Sequence, residues 1–234
     1  LQTHLEGVDP DEVYSQVPYE KGCLLLQRIE VATGREAFDR FLRTYISTFR
    51  FRSITTSDFL GLLKRELPQA AREVNLDGWL HGEGLPDDAA QPRSVRLETL
   101  TGLAQRLGKG DRPDEASFRG FRPNDWQVLL PRIPALAAAD CAWMQERFKL
   151  MDSGNMEIRV GFLTHCARAG HQPAFPVVEK TLKGVGRMKY LRPLYTALKA
   201  TPDGLALARR VFGEARAGYH PVARSVMEGL LKQT

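Results

Sequence analysis

Three observations predict an all-α fold. Apolar residues recur at a spacing of about 3.6 along most of the chain. Glycine and proline break that pattern at short intervals. No stretch shows the alternating pattern of a half-buried strand. The predicted helices are short and joined by short loops, so neighbours should pack antiparallel, and hairpins in series suggest an α-solenoid without a strict repeat.

The elements follow in order. Pro18 suits the first turn of a helix, where its missing N–H costs nothing. That helix runs through GCLLLQRIEVA and stops near Gly34, a natural C-cap. Phe38, Phe41, Leu42, Tyr45 and Phe49 share one face of a second helix. Thr55 opens a third, with Asp58 three residues on in the position of a capping box, ahead of Phe59, Leu62 and Leu63. FRFRSIT between them reads as a short extended connection. NLDGWLHGEGLPDDAAQP carries glycines and prolines between Gly82 and Pro92 and is the best linker candidate. Residues 1–85 are therefore one predicted unit, 86–93 a linker and 94–234 a second unit. Helical blocks in the second are expected at 94–107, 124–130, 135–150, 156–169, 175–184, 188–199, 203–216 and 220–232.

A chain of 234 residues, 43% hydrophobic and 26% charged, has enough apolar material for a real core. No apolar run approaches the length of a membrane span, so none is expected. The first residues, LQTHLEGVDPDE, lack the basic start and apolar core of a signal peptide. They also lack an initiating Met, so the chain reads as a fragment, a processed product or part of a larger protein. Cys23, Cys141 and Cys166 are odd in number and far apart; reduced, mostly buried thiols and a cytoplasmic location are expected. The net charge is +5, and from Arg187 to Thr234 nine Lys or Arg stand against three Asp or Glu. Such a segment attracts anions. It has few aromatics to stack bases and no nucleic-acid motif, so solvated helix faces are the simpler reading.

The usual catalytic motifs are missing: there is no HExxH, no GxSxG and no phosphate-binding loop. His165 and His171 lie six apart across Gly170, a poor spacing for metal ligands on one helix, and each histidine reads as a surface or half-buried residue. Cys23 reads as a packing residue. Asp9, Asp11 and Glu12 favour the positive end of the helix that follows.

Two stretches carry more specific chemistry. In YSQVPYEKG, Tyr19 falls in the first helical turn. A tyrosine phenol stays protonated at neutral pH and can donate to an oxyanion formed when water attacks a carbonyl. The alternative is a tyrosine packed in the core with its hydroxyl satisfied. In GVGRMKYLRPLY, Arg187 and Lys189 would point some 200° apart on a regular helix, but together on extended or irregular backbone. Gly184 and Gly186 make irregular backbone plausible there. Two cations on one spot would hold an anion, Arg as a fork and Lys as a point charge. The alternative is a solvated basic helix start.

DPDEVYSQVPYEKGCLLL, FDRFLRTYISTFRFRSITTSDFLGLLK, WLHGEGLP and GRMKYLRPLY occur in the order found in the leukotriene hydrolase and aminopeptidase B branch of the zinc aminopeptidases, and the chain resembles the C-terminal portion of that family. The resemblance implies the helical end of a thermolysin-like catalytic domain followed by an α-α superhelix of armadillo or HEAT type. It implies a zinc aminopeptidase acting on short peptides with a free carboxylate. It further implies that Tyr19 is the oxyanion donor, that Tyr14 lies beside a lipid epoxide in the bifunctional members, and that Asp11 places water in their epoxide hydrolysis. Arg187 and Lys189 match the pair that grips the substrate carboxylate. The zinc ligands of the family lie upstream of the matching region, so no metal residue is expected here, and the zinc-bearing half must come from the same parent chain or from a partner. A non-catalytic helical scaffold of the same descent, binding protein partners, is the alternative.

Overall fold

The computed structural model describes residues 1, 7, 16–90 and 93–232. It is all-α, with no strand among the described residues, and it divides into two compact units, Leu1–Arg93 and Ser94–Thr234.

The first unit holds α1 (Val17–Thr33), α2 (Arg35–Phe49), α3 (Thr56–Glu66), α4 (Pro68–Glu73) and α5 (Leu76–Leu80). Gly34 makes the α1–α2 corner. Its φ of 77° lies in the region that favours glycine, its N–H closes α1 on the Glu30 carbonyl, and its own carbonyl accepts from Phe38 to open α2. Thr55 and Asp58 form the expected capping box on α3. Pro68 then ends α3 and starts α4, because proline has no N–H for the helix behind it. α1 packs on α2 and α4, and α3 bridges α2 and α4. Leu25, Ile29, Phe41, Leu63 and Trp79 are buried between them. Phe59 meets Phe41 and Tyr45 edge to face, at centroid distances of 6.1 and 6.0 Å.

Part of the glycine- and proline-containing stretch is ordered. Its first part is structure: Asn75 caps α5 by accepting from the Gly78 N–H, and Trp79 is fully buried. Asp88, placed in the expected 86–93 linker, accepts the Trp79 indole N–H at 3.0 Å and pairs with Arg28 at 3.1 Å. A glycine-rich sequence obscured a helix of five residues whose purpose is to bury one indole.

The second unit holds α6 (Val95–Gly108), α7 (Pro123–Leu129), α8 (Ala138–Phe148), α9 (Met156–Arg168), α10 (Phe175–Gly184), α11 (Met188–Leu198), α12 (Pro202–Ala215) and α13 (Pro221–Lys232). α7, α9, α11 and α13 pack in series, and α10 packs on α12 alongside them. Leu163, Cys166, Leu194 and Met227 fill the interior. Tyr219 donates to the Leu182 carbonyl at 2.7 Å while its oxygen lies 3.0 Å from the Tyr195 hydroxyl.

Two cysteine and histidine expectations change. Cys141 and Cys166 are buried, but Cys23 is exposed on α1. His165 and His171 are buried, not superficial. His165 Nε2 lies 2.8 Å from the Leu130 carbonyl and donates to it, while Nδ1 has no partner among the described residues. Burial pushes the His165 pKa below its ordinary value.

Candidate functional site

Tyr19 stands where the sequence places it, in the first turn of α1. The Gln16 carbonyl accepts from the N–H groups of Tyr19 and Glu20 at 3.1 and 2.9 Å, so the helix starts cleanly around Pro18. The ring is 71% exposed and its hydroxyl has no hydrogen-bond partner among the described residues. It flanks a cavity of about 550 Å³ also lined by Cys23, Leu26, Tyr45 and Phe59. Among the described residues Tyr19 is thus a phenol held by a helix start and not packed in a core. Two residues on, Lys21 is buried and donates to the Gly82 carbonyl at 2.7 Å. That bond ties the start of α1 to the segment after α5. Tyr14 and Asp11 lie outside the described residues.

Arg187 and Lys189 belong to the second unit. α10 ends at Gly184 and α11 starts at Met188, so Arg187 is on extended backbone (φ −77°, ψ 123°) whereas Lys189 is already helical. The irregular backbone expected from Gly184 and Gly186 thus covers only the first of the two. Lys189 meets Glu157 and Arg187 meets Tyr190. Lys189 Nζ donates to Glu157 Oε1 at 2.7 Å, and the Tyr190 hydroxyl donates to the same oxygen at 2.9 Å. The Arg187 guanidinium lies over the Tyr190 ring, 5.7 Å from its centroid.

Glu157 is set by the start of α9, where its N–H donates to the capping Asn155 side chain at 3.0 Å. The Lys189 hydrogen bond holds the Glu157 carboxyl below the usual range, aided by the Tyr190 hydroxyl and the charges of Lys189 and Arg187 and opposed by burial. A cavity of about 550 Å³ opens here, lined among others by Glu157, Thr164, Arg168, Lys189 and Tyr190. The basic pair is therefore not bare: one carboxylate of the protein already sits on Lys189. Sequence reasoning missed Glu157 because it lies 32 residues from Lys189. The only local signal was the Asn155 cap, which places Glu157 in a first turn without naming its partner.

The zinc that the resemblance implies does not fit these residues. Among the described residues no three His, Cys, Asp or Glu side chains group closely enough to hold a metal ion.

Comparison with known proteins bears on both stretches. The model of the leukotriene A4 hydrolase C-terminal domain matches residues 121–231, and that of the peptidase family M1 domain matches residues 2–79. The chain belongs to the M1 peptidase family, on its leukotriene A4 hydrolase branch. Leukotriene A-4 hydrolase of Xenopus laevis is 31% identical over 97% of this chain and 39% of its own length. Leucine aminopeptidase 2 of Emericella nidulans is 30% identical, with the same two coverages. The chain thus spans about two fifths of the length of the curated relatives it matches. In fold it is similar to native leukotriene A4 hydrolase from Saccharomyces cerevisiae, with a TM-score of 0.84 at 23% identity over 99% of this chain and 41% of that one. The yeast leukotriene A4 hydrolase in complex with bestatin gives 0.82 at 24% identity, covering 99% and 42%. The M1 match spans Tyr19, and the leukotriene A4 hydrolase C-terminal match spans Glu157, Arg187 and Lys189.

Proposed function

We propose that this chain is the C-terminal part of a zinc aminopeptidase that removes N-terminal residues from short peptides. The observation that carries the reading is Tyr19, an exposed phenol fixed by a helix start with its hydroxyl free among the described residues. As water adds to the scissile carbonyl, negative charge grows on the carbonyl oxygen. A donor aimed at that oxygen is worth more in the transition state than in the ground state. Tyr19 supplies that hydrogen bond without giving up its proton. In the second unit, Arg187 and Lys189 anchor the substrate carboxylate, Arg187 as a guanidinium fork without an ion pair among the described residues.

The similarity to enzymes called leucine aminopeptidase 2 supports peptidase activity as the primary reading. Opening of a lipid epoxide is a secondary one, supported by the similarity to leukotriene A-4 hydrolase and by the presence of Asp11 and Tyr14 in the sequence. The test is turnover of free-carboxylate tripeptides by the complete enzyme that carries this chain. Release of the N-terminal residue is expected; a metal-loaded enzyme that cleaves none of them overturns the reading.

A further inference from the structure

We propose that Glu157 is a specificity-determining residue of the carboxylate anchor: an internal carboxylate that occupies Lys189 and leaves Arg187 to take the substrate. This rests on the anchor reading above. Lys189 already has an anionic oxygen at 2.7 Å, and Tyr190 holds that same oxygen from the other side. Arg187 forms no ion pair among the described residues; its guanidinium rests on the Tyr190 ring. Glu157 thus neutralises Lys189, whereas Arg187, and Arg168 in the lining of the same cavity, pair with no carboxylate among the described residues.

Glu157 is not a side chain that can leave easily. Its backbone is pinned in the first turn of α9, and two donors share one of its oxygens. A substrate carboxylate approaching Lys189 must compete with it, whereas a neutral terminus meets no such competition. Glu157 therefore weakens anion binding at this spot and sets a substrate class. The favoured peptide ends in one carboxylate.

The experiment compares KM in the complete enzyme for three tripeptides: one with a free C-terminal carboxylate, its C-terminal amide, and one ending in aspartate. Glu157→Gln keeps shape and an acceptor for Lys189 and Tyr190 but removes the charge. It is expected to lower KM for the free acid by about two- to fivefold, the range of an exposed ion pair. KM for the aspartate-ended peptide should fall at least as far, and KM for the amide should not move. Glu157→Ala should shift KM in the same direction. A rise in KM for the acid, or equal changes for acid and amide, overturns the proposal. Arg187→Ala separates the two levels. If it raises KM equally for acid and amide, the anchor reading fails and takes this one with it. If it discriminates while Glu157→Gln changes nothing, the Glu157 proposal fails alone.

Discussion

The Trp79 indole N–H donates to Asp88 Oδ1 at 3.0 Å, and Arg28 reaches the other oxygen of the same carboxylate at 3.1 Å. Trp79 is fully buried, so Asp88 is the partner that makes its burial tolerable. Asp88→Ala should leave the indole donor unpaired and cost about 1–3 kcal/mol in the first unit. Thermal or denaturant unfolding followed by tryptophan fluorescence checks this. A cost near zero would mean that water replaces Asp88 and that the segment after α5 is a plain linker after all.

A second prediction concerns the buried pair of tyrosines in the second unit. Tyr219 spends its proton on the Leu182 carbonyl, so Tyr195 must be the donor between the two hydroxyls. Burial pushes both phenols above their ordinary pKa, which keeps those protons in place. Tyr219→Phe strands two groups, the Tyr195 hydroxyl and the Leu182 carbonyl. Tyr195→Phe strands none completely, because Tyr219 keeps its own acceptor. Denaturant unfolding should show a loss of about 1–3 kcal/mol for the first and about 1 kcal/mol for the second. The reverse order would contradict the assigned direction of the bonds.

A third concerns acid. Asp125 accepts from Arg96 at 2.8 Å and from the Arg122 N–H at 2.7 Å, and the Arg96 hydrogen bond first, then the Arg122 N–H, lowers its pKa to about 2. The native carboxyl thus holds its proton less tightly than the unfolded one, whose value lies near 4. Its contribution is complete above pH about 4 and is lost as pH falls through about 2. The stability difference between wild type and Asp125→Asn should be largest above that window and close within it. A difference that stays constant down to pH 2 would exclude the linkage.

Much of the fold was legible because its helices are long enough to show their period. The blocks expected at 156–169, 175–184 and 188–199 match α9, α10 and α11 to within a residue or so, since Gly170, Gly184 and Gly186 interrupt the pattern beside the helix ends. α4 and α5 were not legible. Five or six residues span barely more than one turn, too few for a period, and Gly78 inside α5 reads as a breaker. In the site, Tyr19 was legible as a helix-start residue because Pro18 fixes that start. Its exposure was not, since nothing local says which face of the first turn is covered. Glu157 was invisible for a different reason: its meeting with Lys189 depends on the packing of α9 against α11.

Arg187 carries the fourth prediction. It is the cation of the pair without an ion-pair partner among the described residues, so Arg187→Ala in the complete enzyme should raise KM for a free-carboxylate tripeptide by about ten- to hundredfold, the worth of a charge-assisted hydrogen bond. The C-terminal amide should be nearly unaffected. Steady-state kinetics on the two peptides give the comparison, and a uniform loss on both would point to a folding defect or to a different role for Arg187.

Everything above about chemistry turns on the Tyr19 hydroxyl, and removing that one atom is the most direct test. Tyr19→Phe keeps the ring beside its cavity and leaves Gln16 and Pro18 to start α1 unchanged. In the complete, metal-loaded enzyme it should lower kcat for tripeptide hydrolysis by about 10²–10³, the usual cost of one oxyanion donor, with KM little altered. Far-ultraviolet circular dichroism and thermal unfolding should match the wild type. An unchanged kcat in a folded, metal-loaded Tyr19→Phe enzyme would contradict the assignment of Tyr19 to the oxyanion.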